Sequence, residues 1–379
     1  MSSDAKRESM PAALAASVAR AGKGGVPEGL AGLHPAYFAM VMATGIVSIA
    51  SHSLAFETLA VALFQLNIIF YGTLWGLTIA RVARHTDQVI ADLMHHGRSV
   101  GFFTTVAATC VLGTQSLVIG GLWRMAAILW VIGIVLWAGI TYGIFTILTV
   151  KEVKPTLAEG INGGWLVAVV AAQSVVVLGA QLATGFTPYQ AHVLLFCLAM
   201  WLGGGMLYIW IISLIFYRYT FFSLSPSDLA PPFWINMGAV AISTLAGTVL
   251  IGSAPHSRVL SELLPFLKGF TLLFWATATW WIPMLVILGI WRHLYRRFPL
   301  RYDPLYWGAV FPLGMYTVCT FRLAQVIEAP FLLWIPQAFI YIALTAWSLT
   351  MFGLLQHLTA SGLRRLTSAQ TQSRSAPSR

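Results

Sequence analysis

Residues 125–150 read MAAILWVIGIVLWAGITYGIFTILTV, a run without a single Asp, Glu, Lys or Arg, bracketed by Arg124 and Lys151. A helix rises about 1.5 Å per residue, so this run is long enough to cross the roughly 30 Å hydrocarbon core of a bilayer. The residues are continuously apolar rather than alternating with period two, which argues for a spanning helix and against a membrane β-strand.

The same reading extends along the chain. Ten runs behave this way, near 35–54, 57–82, 100–120, 124–150, 162–182, 190–217, 232–253, 262–293, 304–325 and 331–358. The composition agrees: 58% of the 379 residues are hydrophobic, 9% are charged and mean hydropathy is +0.79, whereas a soluble domain carries about 25% charged residues. The expected fold is therefore all-α and integral to a membrane. Several connections are only a few residues long, as around Ala55 and Met125, which makes consecutive helices antiparallel neighbours. The ten spans thus form five hairpins.

Residues 1–30 lack the apolar core of a signal peptide and read as a flexible cytoplasmic tail. Residues 31–358 form the membrane domain. Residues 359–379, rich in Ser, Thr, Gln and Arg, have little to bury and read as a second flexible cytoplasmic tail. Of the 22 Lys and Arg, all but Arg124, Arg258, Lys268 and Arg322 fall in the tails or in the loops after even-numbered spans. Such a bias places both termini in the cytoplasm and favours an even number of spans. The formal net charge of +10 reads as topology, not as a nucleic-acid surface. Trp123, Trp165, Trp234, Trp291, Trp307 and Trp334 stand near span ends, where an aromatic belt forms. The pairs Gly72/Gly76 and Gly139/Gly143 have the spacing of close helix packing, within or between subunits.

No acidic residue lies in the middle of a span. A proton- or cation-coupled carrier commonly needs a carboxylate there, and a cation pore benefits from one. Mid-span Lys and Arg are missing as well. The nine histidines fall in loops or near span ends, and His95 and His96 are adjacent, which is not helical metal spacing. Cys110, Cys197 and Cys319 are isolated and read as small buried hydrophobes. No HExxH, GxSxG or Walker loop occurs. No catalytic residue, cofactor or metal is expected.

Uncharged polar and small residues do recur in the odd-numbered spans: Thr44, Gly45 and Ser48 in the first, Thr105 and Thr109 in the third, Gln173 in the fifth, Ser243 and Thr244 in the seventh, Gly314 and Thr317 in the ninth. Their spacing places most of them in single helical stripes. Two readings stand side by side: such stripes line a water-filled path, or they bind helix to helix. The ninth span also carries Phe311-Pro312. Proline removes one helical hydrogen bond and kinks the chain. Phe311 beside it can plug a narrow path or fill a core.

Three motifs carry a resemblance. The first span, His34-Pro-Ala-Tyr-Phe-Ala-Met-Val-Met-Ala-Thr44-Gly45-Ile, is similar to the opening of the tellurite-resistance/dicarboxylate transporter family, also called voltage-dependent anion channel-like. Ala43 stands where the family's M-G-T-G-I motif has its first glycine. Pro231-Pro-Phe-Trp234 resembles the family's P-P-x-W, and Trp307 with Phe311-Pro312-Leu-Gly314 resembles W-x-x-x-F-P-L-G. Val167-Ala168 departs from relatives that carry proline there.

The resemblance implies ten helices in quasi-fivefold arrangement, with the odd-numbered ones around a central pore, and a homotrimer with one pore per subunit. Small inorganic or organic anions would pass, and Phe311 would occlude the pore. A channel or uniporter is the expected activity. The alternative is a proton-linked transporter or exporter of C4-dicarboxylates such as malate, or of sulfite. The expected location is a bacterial inner membrane.

Overall fold

The computed structural model describes residues 29–300 and 302–374, with side chains described to residue 360. All but the last two residues of the expected N-terminal tail lie outside the described residues. Among the described residues there is no strand.

Ten long helices organise the described residues: α1 Ala39–Ser53, α2 Glu57–Arg84, α3 Phe103–Val118, α4 Trp123–Val150, α5 Val167–Leu182, α6 Gln190–Phe221, α7 Ile235–Gly252, α8 Leu264–Ile290, α9 Trp307–Val326 and α10 Trp334–Arg374. Nine of them, taken with their flanking turns, are long and apolar enough to cross a membrane. The exception is α9. At 20 residues it has the length, but Gly308, Pro312, Gly314, three polar Thr and Gln residues and Arg322 dilute its apolar character. The last helix continues past residue 358 to Arg374.

Each odd-numbered helix is led in by a 3-10 turn: Pro35–Phe38, Val100–Phe102, Gly163–Leu166, Pro231–Trp234 and Pro304–Tyr306. The local sequence dictates these starts. Proline opens three of them, where its missing N–H would be unpaired in any case. The side chains of His34, Asn162 and Asp303 accept hydrogen bonds from the N–H groups of Ala36, Gly164 and Leu305, as N-caps do. Hairpin turns are tight. The turn between α1 and α2 holds Ala55 at φ 64°, and that between α3 and α4 holds Gly121 at φ 64°.

Each even-numbered helix packs on the odd-numbered one before it. The odd-numbered helices also touch one another in order: α1 with α3, α3 with α5, α5 with α7, α7 with α9, and α9 back to α1. Burial separates the two sets. The best spanning windows of α1, α3, α5 and α7 are 78–94% buried, and those of the even-numbered helices only 17–44%. The even-numbered helices turn residues such as Ile69, Val135, Trp210, Ile287 and Leu349 outward. In water that surface would aggregate; against acyl chains it is at home.

Contact between the two sets uses polar groups. Trp201 donates to the Ser243 carbonyl at 2.8 Å, Trp130 to the Val175 carbonyl at 3.0 Å, and Asn67 to Gln115 at 2.6 Å. Lipid offers no hydrophobic force between helices, so close packing and hydrogen bonds hold them. The two expected GxxxG pairs do not serve this purpose within the chain. A Cβ placed at Gly72, Gly76, Gly139 or Gly143 would meet nothing within 4 Å. These glycines sit on the outward faces of α2 and α4.

Candidate functional site

All five odd-numbered helices run in the same direction, and two cavities lie at their opposite ends. The first, of about 320 Å³, gathers the leading turns: His34 and Ala36 before α1, Val100 and Gly101 before α3, Gly163 and Gly164 before α5, Pro232 and Phe233 before α7, and Leu305 with Gly308 at α9. The second, of about 340 Å³, gathers Ile46 and Ile49 of α1, Val111 and Val118 of α3, Val177 and Gln181 of α5, Leu245 and Gly252 of α7, and Met315, Val318 and Arg322 of α9. Every odd-numbered helix contributes to both.

The two cavities share no lining residue. On α9 the cavity-lining positions are 308, then 315, 318, 322, 325 and 326. Phe311 completes the three-and-four spacing of that stripe, so it shares the lining face. It lines neither cavity and is 1% exposed. At the corresponding positions the other odd-numbered helices carry mostly small residues: Ala43 on α1, Ala107 and Ala108 on α3, Ala171 on α5, Gly238 and Ala239 on α7, all buried. Pro312 turns to α7, where a Cβ at Gly238 would stand 2.6 Å from the proline ring.

The polar residues singled out from sequence lie elsewhere. None of Thr44, Gly45, Ser48, Thr105, Thr109, Gln173, Ser243, Thr244, Gly314 or Thr317 is among the residues lining the two cavities. Thr44 accepts from Trp347 of α10 at 3.0 Å. Ser48 donates to the Ala60 carbonyl of α2, and Gln173 to the Trp201 carbonyl of α6. Thr109 meets Tyr71 of α2 at 2.9 Å. Thr105 donates to the Phe102 carbonyl. Ser243, Thr244 and Thr317 donate to carbonyls one turn back, a bond that satisfies the hydroxyl inside its own helix. Gly45 and Gly314 are contact points: a Cβ at Gly45 would crowd Asn67, and one at Gly314 would stand 2.8 Å from Ile46. Sequence reasoning missed the aliphatic residues that line the cavities. Their signal was a stripe of Ala, Val, Ile and Gly at helical spacing, which in an apolar helix looks like any other face.

Charge is distributed differently at the two ends. The first cavity has Arg218, Asp228, Glu159 and His34 in its wall. Arg218 donates to the Ala158 carbonyl at 2.6 Å and pairs with Asp228 at 3.4 Å. Burial raises the Asp228 pKa, but hydrogen bonds from the Ser225 N–H and hydroxyl, together with Arg218, outweigh it and hold the carboxyl below its usual range. His34 is pushed down to about 4, first by burial and then by the Arg98 guanidinium, so it is neutral at pH 7. Below it, Asp92 bridges Arg81 at 2.7 Å and also binds Arg98. In the second cavity Arg322 is the one lining residue among Lys, Arg, Asp and Glu, with His256 beside it. No three His, Cys, Asp or Glu among the described residues are placed to hold a metal.

A helical membrane protein with two cavities in line along a bundle of parallel helices has the construction of a transport protein. Residues 32–355 match the voltage-dependent anion channel family, and the chain belongs to that family. It is 40% identical over 157 residues to an uncharacterized membrane protein of Mycobacterium tuberculosis, covering 41% of this chain and 78% of that one. It is 23% identical to an uncharacterized transporter of Methanocaldococcus jannaschii, over 84% of this chain and 91% of the relative. A sulfite efflux pump of Trichophyton rubrum is 25% identical over 80% of this chain and 84% of its own length.

Proposed function

We propose that the chain carries small anions through the bilayer along the axis shared by the five odd-numbered helices, and that Phe311 occludes the path between the two cavities. The observation that carries this reading is the position of Phe311. By helical spacing it completes the cavity-lining stripe of α9, it is buried, and it lines neither of the two cavities that all five odd-numbered helices border, which supports a place between them. A ring of small residues leaves a lumen that one aromatic side chain can fill, and a narrow apolar constriction excludes ions sterically and by dewetting.

In this reading α9 is the tenth span and the ten helices form a quasi-fivefold barrel of hairpins. Both termini face the cytoplasm of a bacterial inner membrane, on the side of the first cavity. The assembly is a homotrimer with one path per subunit. Transport is passive, as in a channel or uniporter, because no carboxylate lies between the cavities to carry a proton.

The test is flux in proteoliposomes, with a reversal-potential series across chloride, nitrate, sulfite, malate and succinate. Phe311→Ala should raise anion flux at least tenfold over the wild type. Normal yield with unchanged flux would remove Phe311 from the path.

A relative named as a sulfite efflux pump favours a second reading, in which sulfite or a C4-dicarboxylate such as malate moves together with a proton. A protonated monoanion needs no titrating side chain in the path. Under this reading an imposed pH gradient alone drives uphill accumulation; under the first it does not.

A further inference from the structure

The parallel run of the odd-numbered helices has an electrostatic consequence. Their five leading turns meet at the first cavity, and the C-terminal turns of α3, α5, α7 and α9 meet at the second, which α1 borders through Ile46 and Ile49. The last carbonyls of a helix have no partner within it, and each helix end carries roughly half an elementary charge, negative at the C-terminus. The second cavity is therefore the end that repels anions. Side-chain charge opposes the dipoles at both ends. The first cavity, at the positive ends, is lined by the carboxylates of Glu159 and Asp228 against one guanidinium, Arg218. The second, at the negative ends, is lined by Arg322 and no carboxylate. Arg322 forms no ion pair among the described residues. It also lies on the α9 stripe that carries Phe311, about 16 Å further along by helical rise.

We infer that Arg322 is the selectivity-determining residue of the second cavity, a fixed cation that offsets part of the C-terminal dipole field and holds small anions at that mouth. The inference rests on the transport reading above and adds the residue that sets charge preference and directional asymmetry. Anions arriving from the second cavity meet a guanidinium with no carboxylate beside it in the cavity wall. Those arriving from the first meet the Arg218–Asp228 pair.

The test compares wild type with Arg322→Lys, Arg322→Gln and Arg322→Glu in proteoliposomes, using chloride, nitrate and sulfite at 20 mM and 500 mM salt. One unit charge acting over about 6 Å of water changes local anion concentration about threefold. Arg322→Gln should therefore lower low-salt flux about threefold and Arg322→Glu about tenfold, while Arg322→Lys stays near wild type. Both losses should vanish at 500 mM, where screening is complete within a few ångströms.

Arg322→Cys gives a readout that folding cannot imitate, because charge is added after the protein is assembled. A cationic thiol reagent should restore flux and an anionic one should lower it further. Treated wild type is the control, since Cys110 borders the same cavity but is buried. An inert wild type overturns the transport reading and this inference together. A conducting wild type with equal low-salt flux in Arg322→Glu, or Arg322→Cys indifferent to reagent charge, overturns the inference alone.

Discussion

The odd- and even-numbered helices are similarly apolar in sequence and opposite in situation. A Cβ added at the odd-numbered helices' Gly179 or Gly238 would stand 2.6 Å from Trp130 or Pro312, and one at Gly163 would collide with the Pro232 carbonyl. At Gly72, Gly76, Gly139 and Gly143 of the even-numbered helices it would meet nothing. The same residue type permits close approach where the two sets meet, as at Gly133 and Gly204 of the even-numbered helices too, and leaves a notch on their outward faces. The lesson concerns solvent. When the surroundings are as oily as the core, hydrophobicity cannot sort inside from outside, and the sorting falls to small residues and to polar groups that need a partner.

Five substitutions probe that contrast, the largest effect first. Asp92→Ala removes the carboxylate that joins Arg81 of α2 to Arg98 ahead of α3. Breaking a buried pair from one side costs about 3–5 kcal/mol, so detergent-solubilised protein should lose most of its folded fraction on size exclusion. Retention of wild-type melting would show that the two sets are held together elsewhere.

Gly163→Ala forces a methyl against the Pro232 backbone, which cannot rotate away, and should cost about 1–3 kcal/mol. Gly139→Ala should change the melting temperature hardly at all, within about 0.5 kcal/mol. Equal effects would erase the distinction between the sets.

His34 supplies a pH dependence. Its pKa falls from about 6.5 in the unfolded chain to about 4 in the fold. Between those values the unfolded chain binds the proton and the folded one does not. The His34 contribution is thus fully present above about pH 6.5 and declines as pH falls towards 4. Thermal melts from pH 7.5 to 4.5 should show a smaller decline in His34→Gln.

A small effect is also expected of Thr109→Val, which removes the hydrogen bond with Tyr71. Interhelical bonds of this kind in membranes average about 0.6 kcal/mol. A much larger loss, or a change in anion flux, would return Thr109 to the path from which its geometry removes it.

The membrane class, the long helices and the proline- or cap-led starts of the odd-numbered ones were legible in the chain. So was the family, because three motifs fell in the right spans. The lining was not legible. Thr44, Ser48, Gln173 and Ser243 looked like the wall of a wet path, yet they hold neighbouring helices or their own backbone. The alanine and valine faces that border the cavities gave no signal.

Local chemistry explains what the sequence determined by itself: a run too apolar for water must cross the bilayer, and proline or a capping side chain must begin a helix. Which face of each helix turns inward is a property of five helices meeting at once. A hydroxyl satisfied by its own carbonyl is neutral to that choice, so only their packing decided it, as it decided that Arg322 would stand in a cavity bordered by all five.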